Sequence, residues 1–270
     1  MLYIQFRFSK YLWKYRDLIW RLSKRNIESR YRGSILSWGW SFATPLLTLT
    51  VYTFVFSEVF QARWEDANEL GSLGFAINLF AGLIIFNIFS EVANQSAGLI
   101  VDNKNLATKV VFPLPVLSCT ILVSALFNAL TSLIVLMLFE LASGKGIPVS
   151  FWLLPITMLP AVTGLLALSW IISALGVYLR DIGQAIGITT NLLMFLSAVF
   201  YPLSALPANW QPLLRINPLA IVIEQSRGVA VSGQLPSLVY ILCGNLIGII
   251  GCEFAFRAFQ RASRGFADVL

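Results

Sequence analysis

From Gly33 to Ser57 the chain runs 25 residues without a charged side chain, directly after a segment dense in positive charge. Lys14, Arg16, Arg21, Lys24, Arg25, Arg30 and Arg32 crowd positions 14–32. An α-helix needs about 20 apolar residues to cross a hydrocarbon core of ~30 Å, and Lys and Arg collect on the cytoplasmic side of such a crossing. A basic collar against an uncharged run of this length reads as a cytoplasmic segment entering a bilayer. It also orients every later segment.

Composition supports that class. The chain is 57% hydrophobic and 12% charged, against about 25% charged in a soluble domain. Alternating strand patterns of about ten residues are absent, which argues against an outer-membrane barrel. Lys and Arg outnumber Asp and Glu by 19 to 13, but the basic residues sit at segment ends, where membrane orientation explains them better than nucleic acid does. There is no histidine, and Cys119, Cys243 and Cys252 all lie in apolar runs, so no metal-ligand pattern is visible. The long basic stretch before the first apolar run argues against a cleavable signal peptide.

The expected fold is an all-α polytopic membrane protein forming one permease-like domain over 1–270. Residues 1–33 read as a cytoplasmic amphipathic helix, because Tyr11, Leu12, Tyr15, Leu18, Ile19 and Leu22 recur at helical spacing among basic residues. Residues 34–260 read as a six-span bundle, with spans at about 34–57, 73–93, 115–141, 151–175, 184–201 and 238–256. Residues 261–270 form a basic tail. With both termini cytoplasmic, the inner segments hold 15 of the 19 Lys and Arg residues, as the positive-inside rule requires. The stretch 201–237 is too apolar for a loop and too broken by Pro202, Pro207, Pro212 and Pro218 for a span. It reads as a pair of short re-entrant helices, since irregular backbone at membrane depth must be buried in protein or line a wet cavity.

An ordered series of motifs now becomes informative. RYRGS at 30–34 is followed by Trp38 and Pro45, then by FPLP at 112–115 and by Arg180–Asp181 after the fourth span. YPLSALP at 201–207, INPL at 216–219, Arg227 and a basic-aromatic tail complete it. The series resembles the permease subunit of type-2 ABC exporters, in the polysaccharide and O-antigen branch, along nearly the whole chain. That resemblance implies a homodimer in the bacterial inner membrane, with each copy docked to a separate ABC ATPase. It also implies export of a lipid-linked polysaccharide, with no cofactor on this chain and with ATP and Mg bound by the partner. The chain lacks G-x-x-x-x-G-K-[ST], so it has no P-loop to cradle a nucleotide. The basic helix 14–30, the loop 96–111 and the 180–181 turn share the cytoplasmic side, so Arg21, Arg25, Arg30, Lys104, Lys109, Arg180 and Asp181 are expected to form the ATPase docking surface.

Two rows mark the first span. Trp38, Phe42, Leu49, Tyr52 and Phe56 share one helical face, and beside them run Ser37, Ser41, Thr44 and Thr48. Flat aromatic faces stack on sugar rings and still let them slide. Trp38, Phe42, Tyr52, Phe56, Phe86 and Tyr201 are therefore expected along a substrate pathway, although packing against lipid or other helices explains aromatics equally well. Trp210, Arg215, Glu224 and Arg227 are expected at an outer gate with a wet rim. The Gly183/Gly187 and Gly244/Gly248 spacings read as close helix contacts. Glu58, Glu91, Glu140 and Glu253 are expected near span ends, which speaks against a proton- or sodium-coupled carrier and against an intramembrane enzyme. A cargo of teichoic acid or of a small lipophilic compound stays open, as does a membrane glycosyltransferase or polymerase.

The missing P-loop makes a first prediction. The purified chain, free of other proteins, neither binds nor hydrolyses ATP, and a nucleotide-binding titration with a phosphate-release assay checks it.

Overall fold

A computed structural model describes residues 7–32, 37–55, 71–109, 111–144, 146–207 and 209–270. Its described residues form helices joined by short turns and contain no strand. The basic N-terminal segment is helical but broken at Tyr15 into α1 (Arg7–Lys14) and α2 (Arg16–Tyr31). The break lets two faces find different partners. Phe8, Tyr11, Leu12 and Ile19 turn toward the core, while Trp13 and Trp20 stay exposed.

Next come α3 (Trp40–Thr53) and the longest helix, α4 (Gly71–Asp102), followed by the short α5 (Lys104–Thr108). The second apolar run was expected to close at residue 93, but α4 continues to Asp102. Packing holds the extra turns: Ser96 Oγ lies 2.6 Å from Val92 O and 2.7 Å from Ser169 Oγ of a neighbouring helix. Glu91 consequently stands inside a long helix rather than at the end of one.

α6 (Pro115–Ala142) starts on Pro115, whose missing N–H costs nothing in a first turn. α7 (Leu154–Tyr178) crosses it through the fully buried Trp170, whose indole donates to Pro115 O at 3.0 Å. Then follow α8 (Ile182–Leu196), α9 (Gln211–Ile216), α10 (Pro218–Ala230), α11 (Leu238–Ala262) and α12 (Phe266–Val269). Four helical segments are long and apolar enough to cross a membrane: Leu73–Asp102, Pro115–Ala142, Val149–Tyr178 and Leu238–Val269. α3 and α8 are apolar but shorter, and the 15 residues of α8 span only about 22 Å.

α4 is the buried strut of the bundle, in contact with α3, α6, α7, α8 and α10. The α7–α11 pair makes the most extensive helix contact. Gly244 faces Pro160, and a Cβ on Gly248 would collide with Thr163, so the second glycine pair serves close packing. Gly183 and Gly187 also face α4, but a Cβ on either would make only ordinary contact with Ala97 or Asn94, so that expected close approach does not form. The opposite face of α11 presents Leu242, Leu246, Ile250 and Phe254 outward.

The proline-broken stretch yields two short helices, each with a proline in its first turn. Asn217 sets the start of α10. Its Oδ1 accepts from Leu219 N at 3.0 Å, and its Nδ2 donates to Leu196 O and Ser197 Oγ at the end of α8. Arg227 was expected at a wet rim; it is instead buried. Its Nε donates to Asn78 O at 3.0 Å, and its Nη2 to Ala198 O at 3.2 Å and Val199 O at 3.0 Å. Carbonyls beyond a helix end lack intrahelical donors, and the guanidinium supplies them. Gly82 makes the room, because a Cβ there would strike Arg227 Nη2.

Replacing Arg227 with Met strands these carbonyls and costs about 2–4 kcal/mol of stability. Arg227→Lys recovers little, because a single ammonium cannot reproduce the fork. Unfolding of the detergent-solubilised variants, followed by far-UV circular dichroism, measures both.

Candidate functional site

A cavity of about 720 Å³ lies among α3, α4 and α6 and is bordered by Arg30 of α2 and Met194 of α8. Its α3 wall is Ser41, Thr44, Pro45, Thr48 and Tyr52. Steps of three and four residues stack the hydroxyls on one face. α4 adds Asn87, Ser90 and Glu91, and α6 adds Asn128, Thr131 and Ser132. Phe80, Leu83, Ile84 and Ile88 fill the wall between. A hydroxyl- and amide-rich hollow inside an apolar bundle matches hydroxylated ligands, since it offers donors and acceptors where lipid offers neither.

Glu91 organises the polar end. Its Oε1 accepts from Arg30 Nη2 at 2.5 Å and from Gln95 Nε2 at 3.0 Å, and its Oε2 accepts from Asn128 Nδ2 at 2.8 Å. The carboxylate thereby joins α2, α4 and α6. Asn26 of α2 adds a second tie to α6, donating to Ser124 Oγ at 3.3 Å. Sequence reasoning left Glu91 and Asn128 out of the site. An acid flanked by Asn87, Asn94 and Gln95 in a long apolar run was the available sign.

The expected pathway residues separate in space. Tyr52 lines the cavity and meets Phe200 edge-on at 5.7 Å. Trp38 packs against Phe127 at 5.7 Å, Phe42 is exposed, and Phe86 is buried beside Phe89. The Tyr201 hydroxyl donates to Phe195 O at 2.6 Å. Phe56 lies outside the described residues. On α3 the hydroxyl row lines the cavity together with Trp40 and Tyr52, whereas Trp38 and Phe42 of the aromatic row stand outside it. Leu49, a member of that aromatic row, is turned into the core.

Of the expected docking residues, Arg21, Arg25, Lys104, Lys109, Arg180 and Asp181 are exposed, and Arg30 is drawn to Glu91. α5 lies against α12, while the end of α7 meets the end of α11 through Tyr178 Oη, which donates to Ala262 O at 2.8 Å. Ala97, near the end of α4, packs against Gly176 and Gly183 on either side of the Arg180–Asp181 turn. These charged turns thus share one end of the bundle. At the other end Trp210 is exposed and Glu224 lines a second cavity, while the Arg215 side chain lies outside the described residues.

Residues 17–231 match the family described as "ABC-2 type transporter". The chain is 28% identical over 264 residues to the O-antigen export system permease protein RfbA of Myxococcus xanthus, covering 97% of this chain and 98% of that protein. It is 24% identical over 255 residues to the protein of the same name from Klebsiella pneumoniae, covering 94% and 95%. It is 24% identical over 227 residues to the polysialic acid transport protein KpsM of Escherichia coli, covering 83% and 86%.

The Arg30–Glu91 pair predicts energetic coupling between α2 and α4. A double-mutant cycle with Arg30→Ala and Glu91→Ala gives about 0.5–1 kcal/mol in thermal unfolding, at the modest end because solvent reaches Arg30. The coupling shrinks as salt is raised.

Proposed function

This chain belongs to the ABC-2 type transporter family, and we propose that it is the transmembrane subunit of an ATP-driven exporter that moves a lipid-linked polysaccharide, such as O-antigen, across the bacterial inner membrane. One observation carries the reading: a 720 Å³ hollow in which stacked hydroxyls and amides stand beside aromatic and aliphatic surface, within a bundle whose outer faces are apolar. Full-length similarity to O-antigen export permeases supports the choice of cargo.

In this reading α3 and α8 complete a six-span bundle with the four longer helices. α1 and α2 lie at the cytoplasmic face, where their exposed tryptophans and basic residues suit the lipid interface. Both termini are cytoplasmic. Two copies pair, and each docks a separate ATPase through Arg21, Arg25, Lys104, Lys109, Arg180 and Asp181. ATP-driven movement of that partner reaches the pathway through α2, whose Arg30 is tied to Glu91 beside the cavity. α9 and α10 form the re-entrant pair that closes the outer mouth, with Trp210 and Glu224 at its edge and Arg227 anchoring it. Sugar units pass a wall of exchangeable hydroxyl contacts, which holds them without a deep binding minimum. The chain performs no covalent chemistry.

Filling the hollow tests this. In cells carrying the gene, Thr44→Leu/Thr48→Leu lowers surface polysaccharide at least about tenfold and leaves lipid-linked polymer inside, whereas the chain still reaches the membrane. Immunoblots of whole and lysed cells give the readout. Unchanged surface polymer in a strain deleted for the gene overturns the assignment.

A further inference from the structure

The second cavity, about 580 Å³, sits where α9 and α10 meet the turn leading into α11. Ser204, Gln211, Glu224, Gln225, Gln234 and Ser237 line it. Three of the chain's eight glutamines meet here, in a protein otherwise dominated by apolar side chains. The amides are held in place. Gln225 Oε1 accepts from Ser237 N at 2.9 Å, and Gln211 Nε2 donates to Leu206 O at 3.0 Å. Those anchors leave Gln225 an Nε2 donor and Gln211 an Oε1 acceptor. Gln234 is set by its backbone, whose N–H donates to Gly228 O at 2.9 Å.

Ligand chemistry follows from the wall. Among the described side chains that line it none is basic, so they offer an anion no counter-charge. Glu224 is its one carboxylate, and no group of three metal-binding side chains exists among the described residues. A lipid tail gains nothing from so polar a lining. A pyranose suits it, because adjacent hydroxyls donate and accept together, as amide and carboxylate groups do in return. Leu203, Ile221 and Leu235 offer apolar surface for the C–H face of a ring. The volume falls within the roughly 300–1,000 Å³ of small-molecule sites.

We propose that this cavity is a saccharide-binding subsite that holds hydroxyl-rich sugar units through Gln211, Glu224, Gln225 and Gln234, apart from the hollow among α3, α4 and α6. The inference rests on the polysaccharide reading above and adds a second contact for the polymer at the far end of the bundle. α10 gives the subsite a rigid base, because Arg227, three residues from Glu224, is fastened to α4 and to the end of α8.

The test uses the full-length chain in lipid nanodiscs. The probes are polysaccharide released by mild acid from cells carrying the gene, and dextran for comparison. Saturation-transfer NMR and a fluorescence titration measure binding. Gln234→Ala and Glu224→Gln each weaken binding of the released polymer by about fivefold to tenfold, the weight of one or two hydrogen bonds. Thr108→Ala, exposed on α5 and outside both cavities, leaves this binding unchanged, and unfolding curves show that all three variants are folded. Equal binding by wild type and variants, or none by wild type, overturns the subsite. Failure of the export reading is separate: it appears as intact surface polysaccharide in the deletion strain, whatever the nanodiscs bind.

Discussion

A buried guanidinium with acceptors on three sides is the constraint on which one end of this bundle depends. Arg227 brings donors to three backbone carbonyls drawn from two separate parts of the chain. Asn78 O comes from within α4, and Ala198 O and Val199 O come from the chain just past α8. Ala198 has a positive φ of 54°, an uncommon conformation for a residue with a side chain. The backbone turns there in a way that aims its carbonyls at Arg227. Without the charge-assisted bonds, polar backbone would sit unpaired inside an apolar bundle, where each such group costs kilocalories. Asn217 repeats the device on a smaller scale, with one side chain serving the start of α10 and the end of α8.

Polar side chains tie helices together in two ways. Glu91 links α2, α4 and α6 through side-chain partners. Tyr178 and Asn217 instead reach backbone carbonyls of other helices, Ala262 O and Leu196 O. Both kinds of contact satisfy polar groups that an apolar bundle cannot leave unpaired.

Much of the architecture was legible in the residues. The helical character, the proline-started helices and the Gly244/Gly248 contact follow from composition and spacing, which are local properties. The lining of the cavity was less legible. Trp38, Phe42, Leu49 and Tyr52 share a face, and so do Ser41, Thr44 and Thr48, one residue around the helix. Periodicity defines both faces equally well. The neighbours decide which one looks inward: α4 and α6 bring Asn87, Ser90 and Asn128 to the hydroxyl side, while Leu49 turns into the core. α4 runs nine residues past the expected 93, because hydropathy marks where a bilayer crossing can end, whereas a helix ends where its packing and hydrogen bonds end.

The sequence by itself determined an α-helical membrane subunit with a basic end and no nucleotide loop of its own, because charge density, apolar run length and motif spacing act within a turn or two of helix. Tertiary structure alone decided what Arg227, Glu91 and the α3 hydroxyls do. Arg227 meets Asn78 across 149 positions of chain, and Glu91 meets Arg30 across 61. A polar side chain in an apolar run shows that some partner must exist, since burial without one is costly. Its identity depends on which distant backbone or side chain the packing brings within 3 Å or so, and no local pattern encodes that.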